Sequence, residues 1–257
     1  MNKKTIIGNI KMNLITLSER DSYLKALKSD IKKVKLGDDV EMVLCVPFVH
    51  LEFFAKNLKR TKIKLGVQNI FWQERGSFTG EISPVMAKEY GADYSIIGHS
   101  ERRGYFKENN QEINLKIKSA IKNGIIPILC IGETLQERQK GLINDIISRQ
   151  LNEGLEGISR MQAEKIIIAY EPVWVIGSDA EPTSDEIMEA RILIRKILTG
   201  KYGSDTTGKI KVLYGANVKA SLIKKMCLDP QMDGVLVGRE SLVPFNLIEI
   251  VKGFEKC

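Results

Sequence analysis

The segment Lys165-Ile-Ile-Ile-Ala-Tyr-Glu-Pro-Val-Trp174 is a short apolar run that stops at a carboxylate and a proline. A run of this length, rich in β-branched residues and bounded by a breaker, predicts a buried strand. Thr183-Ser-Asp-Glu186 follows, with the threonine and glutamate spacing of a helix capping box. Apolar residues continue at helical spacing at Ile187, Ala190, Ile194, Ile197 and Leu198. The stretch therefore predicts one strand followed by one helix.

The same unit recurs along the whole chain. Counting the run above, apolar segments predict strands at 5–8, 40–46, 63–67, 94–97, 125–131, 165–170, 210–214 and 233–237. Helical periodicity appears between them, most clearly at 17–34, 109–123, 136–151 and 245–254. A doubly wound sheet uses this alternation too, but eight strands favour a (β/α)8 barrel. Because no long Gly, Pro or Ser run divides the sequence, residues 1–257 are expected to form a single domain.

Charge and composition limit the classes of partner. The formal charge is +7, which fits an anionic substrate, a nucleic acid or a lysine-rich composition. The densest basic run, Asn57-Leu-Lys-Arg-Thr-Lys-Ile-Lys64, contains no aromatic residue for base stacking. Elsewhere the lysines alternate with acidic residues, as on a solvated helix face. No nucleic-acid partner is expected.

Membrane spans, targeting segments and metal sites have no sequence signal. No apolar window approaches the length of a membrane span, and the first apolar run is too short for a signal peptide. Cys45, Cys130, Cys227 and Cys257 lack the short paired spacing of a zinc site. We expect buried, reduced thiols in a cytoplasmic protein, without membrane association and without a metal.

Polar residues follow several of the predicted strands. In a parallel barrel, functional groups lie where each strand ends and its loop begins. The first strand is followed by Asn9 and Lys11, the fourth by Gly98-His-Ser-Glu-Arg-Arg103, and the sixth by Glu171. Taken singly, His99 has the alternative of a satisfied structural histidine, and Glu171 that of a rim salt bridge. Their common position at strand ends favours catalysis.

Glycines follow the seventh and eighth strands, in Tyr214-Gly-Ala-Asn-Val218 and Val237-Gly-Arg-Glu-Ser-Leu242. Backbone N–H groups at such turns, followed by a short helix, form a phosphate pocket in many barrels, although two ordinary tight turns would look alike. Gly203-Ser-Asp-Thr-Thr-Gly-Lys209 nearly matches a P-loop, but Ile210 stands where Ser or Thr should hold magnesium. This last segment is interpreted as a solvent loop.

Taken together, these segments resemble the triosephosphate isomerase family over essentially the whole chain. The resemblance rests on Gly-Asn-x-Lys-Met-Asn, Gly-His-Ser-Glu-Arg-Arg, Cys-Ile-Gly-Glu and Ala-Tyr-Glu-Pro-Val-Trp, in that order. It implies a TIM barrel, a small phosphorylated sugar as substrate and no cofactor. It also implies a homodimer, in which a loop with Thr79 at its tip enters the partner subunit.

Site residues follow from the resemblance, position by position. It implies that Glu171 is the base, His99 a neutral electrophile, and Asn9 and Lys11 the polar floor, with Glu101 paired to Lys11. The residues expected to bind substrate are Asn9, Lys11, Gly177, Ser178, Asn217, Gly238 and Arg239. The expected lid consists of Pro172, Val173, Trp174, Val175, Ile176, Gly177 and Ser178.

The sequence departs from the family pattern near the expected phosphate and lid. Gly-Gly-Ser becomes Gly215-Ala-Asn217, Gly-Gly becomes Gly238-Arg239, and the lid reads Gly177-Ser-Asp-Ala180 in place of Gly-Thr-Gly-Lys. Near the floor, Ile10 stands where the family has tryptophan.

Three functional hypotheses follow. The first is interconversion of D-glyceraldehyde 3-phosphate and dihydroxyacetone phosphate through an enediol(ate), in glycolysis and gluconeogenesis. The second is isomerisation of a tetrulose phosphate such as erythrulose phosphate. The third, a non-catalytic anion-binding barrel, fits the intact Asn9, Lys11, His99 and Glu171 poorly.

Overall fold

A closed barrel of eight parallel strands forms the centre of the molecule. The computed structural model describes residues 3–34, 39–178 and 180–255. The strands are β1 (Lys4–Asn9), β2 (Val40–Val46), β3 (Ile63–Val67), β4 (Tyr94–Ile97), β5 (Ile126–Ile131), β6 (Ile167–Tyr170), β7 (Lys211–Tyr214) and β8 (Gly234–Val237). Each strand pairs with the next in sequence, and β8 pairs with β1. The predicted (β/α)8 barrel is confirmed.

Side chains alternate between the barrel interior and the surrounding helices. In β1, Ile7 belongs to the small interior cluster, whereas Ile6 belongs to the larger cluster between strands and helices. Both are fully buried, which stabilises the fold by roughly 1.5–3 kcal/mol for each such side chain. This period of two directs Asn9, two residues after Ile7, into the barrel mouth.

The helices lie between consecutive strands and, at the C-terminal side, after β8. They are α1 (Leu17–Asp30), α2 (Phe48–Leu58), α3 (Pro84–Glu89), α4 (Ser100–Tyr105), α5 (Asn110–Lys122), α6 (Leu135–Gln139), α7 (Ile143–Gly154), α8 (Arg160–Ala163), α9 (Ser184–Tyr202), α10 (Ser204–Lys209) and α11 (Pro244–Glu255). The predicted capping box of α9 is present, with Thr183 and Glu186 each accepting from the other's backbone N–H. Within the described ranges, none of the helices combines the length and apolar composition that crossing a membrane requires.

Three sequence predictions of local structure were wrong in part. The helix predicted at 136–151 is two helices, α6 and α7, because Gly141 adopts φ 69° between them. The helix predicted at 17–34 ends at Asp30 and continues only as a single 3-10 turn, Ile31–Lys33. The segment interpreted as a solvent loop is the helix α10, whose Thr206 and Thr207 are buried.

Cys45, Cys130 and Cys227 are buried, as predicted. Cys257 lies outside the described residues. Burial raises the pKa of the Cys130 thiol well above its ordinary value, and the nearby Glu171 carboxylate adds to the rise. This thiol therefore stays protonated at neutral pH and is a poor nucleophile.

Candidate active site

A cavity of about 500 Å³ opens at the carboxyl ends of the strands. Its walls include the ends of β1, β4, β6, β7 and β8, so residues distant in sequence meet there. The structure brings together in this cavity all ten residues that the sequence predicted for catalysis or substrate binding. They are Asn9, Lys11, His99, Glu101, Glu171, Gly177, Ser178, Asn217, Gly238 and Arg239.

Glu171 lines the cavity and is almost completely buried. Its Oε2 accepts a hydrogen bond from the backbone N–H of Ser100 at 3.0 Å. Its Oε1 lies 3.2 Å from His99 Nε2 but makes no hydrogen bond of good geometry. This carboxylate oxygen is thus buried beside the His99 ring with its hydrogen-bonding capacity unused.

The backbone around Glu171 is tightly enclosed. A Cβ atom on Gly132, the residue after β5, would lie 1.8 Å from the carbonyl oxygen of Glu171. Only glycine fits there, since real Cβ contacts do not approach within 3.0 Å. The glycine of the Cys-Ile-Gly-Glu motif therefore lets the loops after β5 and β6 approach each other at the backbone of Glu171.

His99 is held in one tautomer by the start of α4. As the N-cap of this helix, it accepts a hydrogen bond from the backbone N–H of Glu101 at Nδ1, at 3.2 Å. With Nδ1 as the acceptor, the ring proton is assigned to Nε2, which faces Glu171. His99 is thus arranged as a hydrogen-bond donor to the cavity.

Lys11 forms the floor of the cavity together with Asn9. It has φ 53°, a left-handed conformation that costs a non-glycine residue about 1 kcal/mol. Two contacts hold it: its N–H donates to Asn9 Oδ1 at 3.0 Å, and its carbonyl accepts from Gln68 Nε2 at 2.9 Å. Lys11 Nζ lies 2.5 Å from Glu101 Oε1, which fixes the position of the ammonium group.

The predicted lid begins as a 3-10 turn, Val173–Val175, directly after Pro172. Trp174 Nε1 donates to Glu133 Oε1 at 2.9 Å, which anchors the start of the segment. Asn217 Nδ2 donates to the carbonyls of Val175 at 2.7 Å and Ser178 at 3.1 Å, which anchors its far side. Asp179, the residue that follows Ser178 in the lid, lies outside the described residues.

Comparison with known proteins identifies the family. The family model described as triosephosphate isomerase matches residues 4–254. This chain belongs to the triosephosphate isomerase family. Triosephosphate isomerase from Dictyoglomus thermophilum is 44% identical over 252 residues, covering 98% of this chain and 100% of that protein. The enzyme of that name from Clostridium perfringens is 41% identical, with 98% and 99% coverage. The crystal structure of triosephosphate isomerase from Bartonella henselae superposes with a TM-score of 0.87 at 34% identity, covering 98% and 99%.

Two positions that depart from the triosephosphate isomerase pattern, Ala216 and Arg239, line the cavity but differ in their exposure to solvent. Ala216 is buried and lies in the cavity wall, where the hydrophobic core meets the cavity. Arg239 is exposed at the cavity mouth, at the start of a 3-10 turn that follows Gly238. The added guanidinium thus stands beside the expected phosphate position, where it can donate hydrogen bonds to an anion.

Glu133 is a functional candidate that the sequence motifs of the triosephosphate isomerase family did not single out. Glu133 is completely buried and accepts hydrogen bonds from Tyr170, Trp174 and Arg138. Burial, with Glu133 alongside, raises the pKa of the Tyr170 hydroxyl well above its usual value. Its position in the sequence could have indicated this, because Glu133 follows β5 as Glu171 follows β6.

Among residues 3–34, 39–178 and 180–255, no group of three or more His, Cys, Asp or Glu side chains is placed to hold a metal ion.

Substitution of Asn217 by Gly is expected to loosen the lid. Asn217 has φ 42°, which glycine adopts freely, so the change removes the two hydrogen bonds with little backbone strain. Each bond contributes about 0.5–1.5 kcal/mol, so hydrogen exchange of the 173–178 amides should accelerate about tenfold. Gln231→Gly is the matched control, because Gln231 has φ 58° and lies far from the lid in sequence, outside the cavity wall. Equal exchange rates in both variants and the parent would show that the Asn217 side chain does not hold the lid in place.

Proposed function

We propose that this chain interconverts D-glyceraldehyde 3-phosphate and dihydroxyacetone phosphate by proton transfer through an enediol(ate). The observation that carries the proposal is the convergence of Glu171, His99 and Lys11 in one cavity. Family membership and the names of the relatives support the same reaction. The chain would then serve glycolysis and gluconeogenesis as an intramolecular aldose–ketose isomerase.

Proton transfer would use Glu171 and His99 on opposite sides of the reacting carbons. Glu171 removes the proton from the carbon next to the carbonyl and returns it to the former carbonyl carbon, while the hydroxyl proton passes to the former carbonyl oxygen by way of His99 Nε2, so no atom is gained or lost. The proton on His99 Nε2 and the Lys11 ammonium stabilise the oxygen that gains charge. A glutamate base with a neutral histidine is a pattern for which this enzyme family is the standard example.

In the structure, the Glu171 carboxylate and the His99 ring are in contact, so a bound substrate would have to separate them. The 3.2 Å separation of Glu171 Oε1 and His99 Nε2 leaves no room for a substrate atom between them. Binding would therefore move the Glu171 carboxylate away from His99 and from the Ser100 N–H. Since Glu171 Oε1 makes no hydrogen bond, the movement breaks only one well-formed bond of its side chain.

The phosphate would lie at the other end of the cavity, between the lid and the loops after β7 and β8. Backbone groups of Gly177, Ser178 and Gly238, with Asn217 and Arg239 beside them, line this region. The short 3-10 turn Arg239–Leu242 begins there, with its first N–H groups unsatisfied by helix bonds. Closure of the lid would exclude water and protect the intermediate from loss of phosphate.

A coupled assay of the purified chain against triose and tetrulose phosphates tests the proposal. We expect kcat/KM for glyceraldehyde 3-phosphate to exceed that for a tetrulose phosphate by at least about tenfold. Preference for the tetrulose phosphate would refute the triose assignment. A folded protein inert towards every substrate would support the non-catalytic alternative. The relatives reported above favour the triose substrate.

Assembly, location and domain organisation complete the proposal. We propose that residues 1–257 form a single catalytic domain, that the protein acts in the cytoplasm, and that two copies associate through the loop containing Thr79. The exposure of the whole segment 75–81 supports the dimer. Exposed apolar side chains elsewhere on the surface also support it, including Met12, Ile15, Val49 and Met86.

Thr79→Arg is expected to weaken the dimer about 100-fold. An arginine buried without a partner costs about 3 kcal/mol, which corresponds to that change in Kd. Sedimentation equilibrium over a range of concentrations measures the shift towards monomer. Thr199→Arg, at an exposed position near the end of α9, is the matched control and should leave the distribution unchanged. An unaltered dimer in Thr79→Arg would refute this interface.

A further inference from the structure

A second concave site lies on the outside of the barrel, at the end opposite the catalytic cavity. The C-terminal ends of α1 and α2 border an open groove of about 1040 Å³, here called the basic groove. Six cations line it: Lys28, Lys32, Lys56, Lys59, Arg60 and Lys62. Ile31 and Val34 provide apolar surface beside them. The groove includes most of the basic run of the sequence that the isomerase site leaves without a role.

The cations of the basic groove are incompletely neutralised. No carboxylate occurs among its described lining residues. Lys56 lies 2.5 Å from Glu52 Oε1, and Lys28 donates only to the neutral amide of Asn57. Each helix C-terminus contributes roughly half a negative charge, so two of them offset about one cation. Leaving Lys62 aside, the described residues leave about three positive charges of the other five uncompensated.

The segment that contains the basic groove carries most of the net positive charge of the chain. Residues 24–64 contain ten Lys or Arg and five Asp or Glu, a net +5 out of the chain's +7. Like charges within one Debye length, about 8 Å at physiological salt, repel one another. A ligand with a single negative charge would leave most of this repulsion in place. A ligand with three or more would remove it.

The shape and chemistry of the basic groove select among polyanions. Its volume matches the upper range of small-molecule sites. No aromatic side chain occurs among its described lining residues, so it offers no stacking platform for the bases of a nucleic acid. Lysine and arginine side chains do suit phosphate oxygens. We propose that the basic groove binds a polyphosphate chain of three or more negative charges, either free or as the tail of a nucleotide.

Calorimetric titration with tripolyphosphate, ATP and AMP at 0.15 M salt tests the proposal. The test variant combines Lys32→Ala, Lys59→Ala and Arg60→Ala, three exposed positions of the groove. The control combines Lys140→Ala, Lys165→Ala and Lys196→Ala, which remove the same charge from exposed positions outside it. The catalytic cavity is also expected to bind phosphates. Inhibition of the isomerase by each ligand is therefore measured in parallel, to show how much of the observed binding occurs in that cavity.

We expect tripolyphosphate to bind the groove at least about tenfold more weakly in the test variant, with wild-type affinity in the control. Isomerase kcat and KM should be unchanged in both. Similar affinity for ATP and tripolyphosphate would assign recognition to the phosphate chain, and tighter ATP binding would assign it to a nucleotide. The proposal is overturned if AMP binds as tightly as tripolyphosphate, if the test variant keeps wild-type affinity, or if the control loses as much.

Discussion

Replacing Glu171 with Asp is expected to lower kcat by about 10²–10⁴-fold, with a KM within about threefold of the parent. Removal of one methylene withdraws the carboxylate by roughly 1 Å, and such a displacement of a catalytic base costs about 10²-fold or more. The backbone cannot follow to compensate, because Glu171 O is packed against Gly132. Steady-state kinetics with glyceraldehyde 3-phosphate measures the effect.

Glu181→Asp is the matched control for this substitution. Glu181 also lines the cavity, but its carboxylate lies 3.3 Å from Lys225 and has no assigned part in proton transfer. Its shortening should change kcat less than about twofold. If Glu171→Asp kept the parent kcat in a protein of unchanged thermal stability, Glu171 would not be the base.

Lys11→Met is expected to reduce kcat/KM by about 10²–10³-fold. Methionine preserves the length and much of the volume of the side chain but removes the cation that faces the developing negative charge. The change also leaves Glu101 without the ammonium group that now lies 2.5 Å away. An uncompensated carboxylate near the substrate should repel the phosphate, so KM should rise as kcat falls.

Lys219→Met separates this local effect from a general loss of positive charge. Lys219 lines the same cavity and is exposed at its rim, so its removal tests only long-range attraction of the substrate. Its kcat should be unchanged, and its KM should rise a few-fold at low salt only. Equal losses in both variants would show that Lys11 acts as a distant charge.

The architecture was predictable from sequence because strands and helices leave different periodicities. Strands β2, β3 and β4 begin and end where the apolar runs do, and the capping box at Thr183 marks the start of α9. The break between α6 and α7 was missed, since apolar spacing continues across Gly141 and only its positive φ interrupts the helix. Helix α10 was missed because its six residues are too few to show a period.

The part of the candidate site that lies at strand ends was predictable, because polar residues at these positions point into the mouth of the barrel. Asn9, His99 and Glu171 line one cavity, because parallel strands bring their carboxyl ends to one face of the barrel. The contacts among side chains were not predictable. Nothing in the sequence indicates that the amide of Asn217 is directed to lid carbonyls, or that Glu133 accepts from three side chains at once.

The junction between β8 and β1 has a consequence for biosynthesis. A Cβ on Gly234 would lie 1.9 Å from Thr5 O, so the first and last strands meet at a point that admits only glycine. The cavity takes Asn9 and Lys11 from one side of this junction and Gly238 and Arg239 from the other. A nascent chain on the ribosome therefore lacks the cavity wall formed by Gly238 and Arg239 until β8 emerges. Enzymatic activity should appear late in translation and in a single step, when the barrel closes.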